Sequence, residues 1–129
     1  MPKSIALSVD STTYTFTYDR TNQVGEEVYT AKTGPLLGRM RIRARVQPNQ
    51  AGTVNRVRLA LDVPKVVDGD AIASGTQPVV QFTQVQSSDA TVFLGSDVAD
   101  RELLQALWVA LTSDASVEAM VVDGSNLSA

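Results

Sequence analysis

From Arg39 to Val46 the chain reads Arg-Met-Arg-Ile-Arg-Ala-Arg-Val, a strict two-residue alternation. Side chains along an extended strand point alternately to opposite faces, so Met40, Ile42, Ala44 and Val46 share one face and four arginines the other. A helix would scatter the same arginines around its axis. After a turn-rich link, Gln-Pro-Asn-Gln-Ala-Gly at 47–52, the alternation resumes in Asn-Arg-Val-Arg-Leu-Ala-Leu at 55–61. Val57, Leu59 and Leu61 face one way, and Arg56 and Arg58 the other. Two such strands joined by a short turn make an antiparallel hairpin. Matching their apolar faces fixes the register, because a one-residue slip would turn every side chain over. All six arginines, Arg39, Arg41, Arg43, Arg45, Arg56 and Arg58, are then expected on one surface.

The charge distribution gives that surface its meaning. The 129 residues carry 11 bases and 14 acids, a net charge of −3, which by itself describes only a charged, hydratable chain. Residues 28–61 hold seven bases and no acid, +7, whereas the remainder holds four bases against 14 acids, −10. Local potential, not total charge, attracts a polyanion. Arginines directly opposed on neighbouring strands repel unless something neutralises them, so a row of them favours a polyanion-binding face over a merely solvated one.

Composition removes several other chemistries. The chain has no cysteine and no histidine, which excludes disulfides, thiolate metal sites and cysteine nucleophiles and takes away the usual general base near neutral pH. No cofactor, metal or catalytic residue is expected, and the chain is not read as an enzyme. Asp68-Gly69-Asp70 starts like a calcium loop but lacks the later ligands and the closing Glu. Gly34-Pro35-Leu36-Leu37-Gly38 lacks the Lys-Ser/Thr of a phosphate loop and reads as a turn entering a strand. Glu26 and Glu27 could act as an acid–base pair only if buried together. The longest apolar run, 106–111, is far below the roughly 20 residues of a membrane helix. The first residues lack a signal-peptide core, so the chain is expected to stay where it is made. The sequon at 126–128 reads as chance.

The rest of the chain sorts into strands followed by helices. Residues 5–9 and 13–18 read as a hairpin around 10–12, and 26–32 as a further strand. Residues 68–78 read as a long small-residue loop, and 79–86 and 90–94 as strands around a break at 87–89. From 98 to 112 the period changes to helical. Leu104, Leu107, Trp108 and Leu111 form one stripe expected to be buried, with Ser96 and Asp97 as N-cap candidates. A short helix over 116–122 follows. Strands first and helices last predict an α+β fold of one domain over 1–129: a hairpin and first sheet strand in 1–33, the main sheet in 34–95 and helices in 96–129. Two short helices cover little of such a sheet, so a second copy is expected to complete the core.

Several stretches in order along the chain resemble the coat proteins of single-stranded RNA bacteriophages, closest to the branch that infects pseudomonads. They are Ser-Ile-Ala-Leu-Ser-Val at 4–9, Gly-Pro-Leu-Leu-Gly-Arg-Met-Arg-Ile at 34–42, Arg-Val-Arg-Leu-Ala-Leu-Asp at 56–62 with Val-Val-Asp at 66–68, Phe-Thr-Gln-Val at 82–85, and Ser-Val-Glu at 116–118. Each is short; the signal lies in their colinearity and the matching total length.

The resemblance implies an N-terminal hairpin, a five-stranded antiparallel sheet and two helices, intertwined as a homodimer with a ten-stranded sheet. It implies dimers that assemble into an icosahedral shell around genomic RNA in the host cytoplasm, so that the chain resides in the virion. It further implies an RNA stem-loop partner, bound in repression of the replicase and in packaging, and no membrane. The RNA-binding residues carried over are Arg41, Arg43, Arg45, Arg56 and Arg58, holding phosphates, with Thr83 and Val85 lining pockets for unpaired adenines. Relatives carry two cross-linking cysteines where this chain has Gly69 and Ser74, so its shell is expected to be held by packing alone. Relatives also often have small polar residues where this chain has Arg43 and Arg45. A non-viral RNA-binding module using the same arginine face is the alternative, and an enzyme acting on a phosphorylated substrate a distant third.

Overall fold

The computed structural model describes residues 4–32, 38–72 and 75–128, and within 68–72 and 75–78 the backbone alone. Its strands are β1 (Ile5–Val9), β2 (Thr12–Thr21), β3 (Glu27–Ala31), β4 (Arg41–Pro48), β5 (Val54–Ile72) and β6 (Gly75–Phe93); its helices are α1 (Val98–Thr112) and α2 (Ala115–Val122). The strands form one sheet in chain order, β1 to β6. The chain divides into two compact units, Met1–Thr91, which holds most of the sheet, and Val92–Ala129, which holds the helices.

Each connection follows from local chemistry. Val9 pairs with Thr12, leaving a two-residue turn whose members, Asp10 and Ser11, both sit at positive φ, as a turn matching strand twist requires. Between β4 and β5, the Asn49 side-chain oxygen accepts from the backbone N–H groups of Thr53 (2.8 Å) and Val54 (3.1 Å). Gly52 takes the left-handed conformation that this turn needs. The turn fixes the β4–β5 register: Ile42 opposite Leu61, Ala44 opposite Leu59, Val46 opposite Val57. The apolar faces match as the alternation predicts.

The core of the sheet unit lies on that apolar face. Phe16, Tyr29, Ala31 and Ile42 are buried together, with Ile5, Tyr14, Tyr18, Met40 and Leu61 packed around them. Tyr18 and Tyr29 meet edge to face, centroids 5.7 Å apart. Towards β5 and β6 the same face opens, and Val46, Leu59 and Phe82 are exposed.

Three expectations for the sheet need correction. The sheet has six strands rather than five, because the N-terminal hairpin is hydrogen-bonded into it through β2 and β3. The break expected at 87–89 is absent, and β6 runs through it. The expected loop at 68–78 is strand backbone at 68–72 and 75–78, with Ala73 and Ser74 outside the described residues. The cause is common to the last two: small polar residues are poor strand formers alone, but ladder pairing with a long neighbour outweighs that preference. The turn expected at 34–38 also lies mostly outside the described residues.

Helix α1 begins at Val98 as expected, and α2 begins at Ala115, one residue ahead of the expected 116. Asp97 and Asp114 are the N-caps, and the Asp114 carboxylate accepts from the Ser116 N–H at 2.9 Å. The expected buried stripe is not buried: no residue of α1 or α2 is, and Leu104, Leu107, Trp108 and Leu111 are all exposed. Burial of that stripe has to come from outside its own helical unit.

Candidate nucleic-acid interface

Directly opposed residues of an antiparallel pair project to the same face, so the strand register shows which arginines meet. On β4 and β5, Arg41 stands opposite Asp62, Arg43 opposite Ala60, Arg45 opposite Arg58 and Gln47 opposite Arg56. Arg41, Arg43, Arg45, Arg56 and Arg58 therefore share one face. Arg39 precedes β4 and lies outside the row. The same face continues onto β3 through Val28, opposite Arg43, and Thr30, opposite Arg41, both buried.

The row has two unlike ends. At one end Arg43 is clamped: its Nε donates to Asp62 Oδ2 at 2.9 Å and its Nη2 to Asp62 Oδ1 at 3.0 Å. Such a two-pronged pair uses the planar guanidinium to full effect. Glu26, buried in the β2–β3 turn, adds a second carboxylate 3.8 Å from Arg43 Nη1. The hydrogen bonds to Asp62 raise the Arg43 pKa further, against the opposing effect of desolvation. Asn22 holds Glu26 in place by donating from Nδ2 to its carboxylate (3.1 Å) and accepting from its backbone N–H (2.9 Å). Glu27 is exposed and accepts from the Tyr29 hydroxyl at 3.1 Å, so Glu26 and Glu27 do not form a buried pair.

At the other end Arg45, Gln47, Arg56 and Arg58 line an open cleft of about 390 Å³ with Asp89, Ala90 and Thr91 of β6. Arg45 faces Arg58 across the strands, and neither these two nor Arg56 makes an ion pair with a described acid. Arg45 Nη1 donates to the Val24 carbonyl at 3.0 Å, its one side-chain bond among the described residues. Beyond the clamp, at the start of β4, lies Arg41, whose Nε is buried without a hydrogen-bond partner among the described residues. Thr83 and Val85 are exposed on β6, and strand alternation puts them on the same side as Asp89 and Thr91. The structure thus brings the predicted arginines to one face but commits Arg43 to internal carboxylates.

Sequence reasoning weighed Glu26 only as half of an acid–base pair and missed Asp62 and Asp89. Asp62 had a usable signal, since it ends the second alternating strand one residue beyond the acid-free stretch and shares parity with Arg56 and Arg58. Among the described residues no group of three acids is placed to hold a metal, and no helix is long and apolar enough to cross a membrane.

An open antiparallel sheet with a basic face, followed by helices none of whose residues is buried, describes a subunit made for a larger assembly, and comparison identifies the assembly as a viral coat. The family model described as Phage PP7 coat protein matches residues 2–128. The capsid protein of Pseudomonas phage PP7 is 38% identical over 123 residues, 95% of each chain. Among solved structures, the virus-like particle of Beihai levi-like virus 21 superposes with a TM-score of 0.81 at 18% identity, covering 95% of this chain and 94% of its own. The bacteriophage GA protein capsid gives 0.78 at 18% identity, covering 98% of each. At such identities these two support the fold alone. The chain belongs to the PP7-type phage coat protein family: it is a capsid protein of a bacteriophage, a structural protein of the virion rather than an enzyme.

Proposed function

We propose that this coat protein acts as a homodimer that assembles into an icosahedral shell around single-stranded RNA, and that its arginine face binds an RNA stem-loop, repressing replicase translation and marking the genome for packaging. The observation that carries the RNA reading is the unpaired cleft, where Arg45 opposes Arg58 with Arg56 alongside. Like charges held opposite one another on rigid strands cost stability unless a polyanion neutralises them. Thr83 and Val85, exposed on the same side, suit unstacked bases, since a splayed adenine can meet a hydroxyl at its edge and an apolar wall at its face.

The dimer reading rests on two features. β6 is a 19-residue edge strand, long enough to template pairing with a second copy. The apolar stripe of α1 and the open part of the sheet's apolar face, at Val46, Leu59 and Phe82, both lack cover. We place a partner's helices over that face, with the two sheets joined along β6.

Negative-stain microscopy of the purified protein, with filter binding of an RNA stem-loop, tests both parts. Uniform shells and salt-sensitive binding that weakens in Arg56→Ala and Arg58→Ala are expected. Folded monomers at micromolar concentration would remove the dimer, and unchanged affinity in both variants would remove the assigned face.

A further inference from the structure

Asp89 is out of place. Aspartate is depleted from strands, yet Asp89 lies within β6, four residues before its end, and lines the arginine cleft. Pairing with an arginine would account for it, but Asp89 makes no ion pair within 4 Å with Arg45, Arg56 or Arg58. It is exposed, its carboxylate makes no hydrogen bond to a described residue, and nothing in the sheet unit's core depends on it.

A carboxylate accepts hydrogen bonds and donates none, and it repels phosphate. Set beside three arginines, it weakens the cleft for any plain polyanion. It restores binding only to a ligand that presents a hydrogen-bond donor there, such as the exocyclic amine of adenine or cytosine. A cleft of about 390 Å³ is within the range of small-ligand sites, so phosphate on the arginines and a base at Asp89 can belong to one bound nucleotide.

Building on the RNA-binding reading above, we infer that Asp89 is a specificity-determining residue of the cleft: it selects bases that present hydrogen-bond donors to its carboxylate, those with an exposed amino group first, and discriminates against bare polyanions. Specificity of this kind is gained by penalising the wrong ligand as much as by holding the right one. Gln47, opposite Arg56 in the same cleft, offers both a donor and an acceptor and does not impose the same choice.

The test compares wild type, Asp89→Asn and Asp89→Ala as intact coat protein, using three probes at one salt concentration: twelve-nucleotide oligo(rC), twelve-nucleotide oligo(rU) and inorganic polyphosphate of equal length. Wild type is expected to bind oligo(rC) most tightly. Both variants should bind polyphosphate about two- to fivefold more tightly, the scale of one exposed charge interaction. They should gain less on oligo(rC), or lose, so that the preference for oligo(rC) over polyphosphate falls. If both variants tighten all three probes by one factor, Asp89 contributes only net charge and the inference is overturned. If wild type shows no measurable affinity for any probe, it is the RNA-binding reading that has failed. Unchanged circular dichroism and particle formation exclude misfolding as the cause.

Discussion

The two ends of the arginine row come from the same alternating pattern but carry opposite loads. Arg43 sits between Asp62 and Glu26, with side chains 28%, 18% and 9% exposed, respectively, in a network closed within the chain. Arg45, Arg56 and Arg58 line the open cleft without an acid paired to any of them among the described residues. The difference teaches that a basic strand face is not one binding surface. Whether an arginine serves the fold or a ligand depends on whether the neighbouring strand places a carboxylate opposite or beside it. A guanidinium that gives two of its five N–H groups to Asp62 and has a second carboxylate 3.8 Å from Nη1 has its charge compensated before any phosphate arrives.

The largest effect separating the two ends is on stability. Arg43→Met should lower the unfolding free energy by about 3 kcal/mol, because it leaves two largely buried carboxylates without their counter-charge. A fall in the urea midpoint with an unchanged slope is the expected reading. Adding Asp62→Leu should recover about half of that loss, since replacing both partners of a buried pair by apolar groups is close to neutral while Glu26 stays unpaired. If Arg43→Met unfolds like wild type, the clamp contributes nothing and the contrast between the ends is broken.

Next in size is the effect on binding. Arg58→Ala should weaken stem-loop binding about tenfold, the scale of one charge-assisted hydrogen bond. It should leave stability unchanged or improve it by about 0.3 kcal/mol through relief of the Arg45–Arg58 repulsion. The salt dependence sharpens this further. In Arg58→Ala the slope of log affinity against log salt should become shallower by about 0.7 to 0.9 for each phosphate that is no longer neutralised. In Arg43→Met, measured where the variant is fully folded, the slope should stay at the wild-type value. A shallower slope in the Arg43 variant would return that residue to the binding surface.

Much of this was legible in the sequence where a pattern is local. The alternation from Arg39 to Val46 and from Asn55 to Leu61 dictates strands, faces and register, and the β4–β5 pairs follow it. The residues at 98–112 define α1 by period and by the Asp97 cap. What was not legible depends on long-range pairing. Residues 87–89 look like a break until β5 lies beside them, and Glu26 looks like a surface acid until the β2–β3 turn carries it to Arg43. The α1 stripe misleads for a related reason: periodicity states that a face is apolar, not which molecule covers it. The alternation supplied the arginine face and the order of elements the fold class, and the family resemblance agreed with both, but none of them supplied the division of labour among the arginines, because Asp62 and Glu26 lie outside the acid-free stretch.

The smallest expected effect concerns Arg45, which stands between the two regimes. It lines the cleft and opposes Arg58, yet it also donates to the Val24 carbonyl at 3.0 Å. That bond is exposed, so its loss should cost little, about 0.5 kcal/mol. Arg45→Lys keeps the charge and removes the fork, leaving a single ammonium to serve either the carbonyl or a phosphate. Stem-loop affinity should fall about two- to threefold, less than for Arg58→Ala, with the salt slope intact because the charge remains. A tenfold loss at constant slope would mean that the planar fork itself reads the RNA at Arg45. The boundary between the fold-serving and ligand-serving arginines would then lie between Arg43 and Arg45, with no intermediate case.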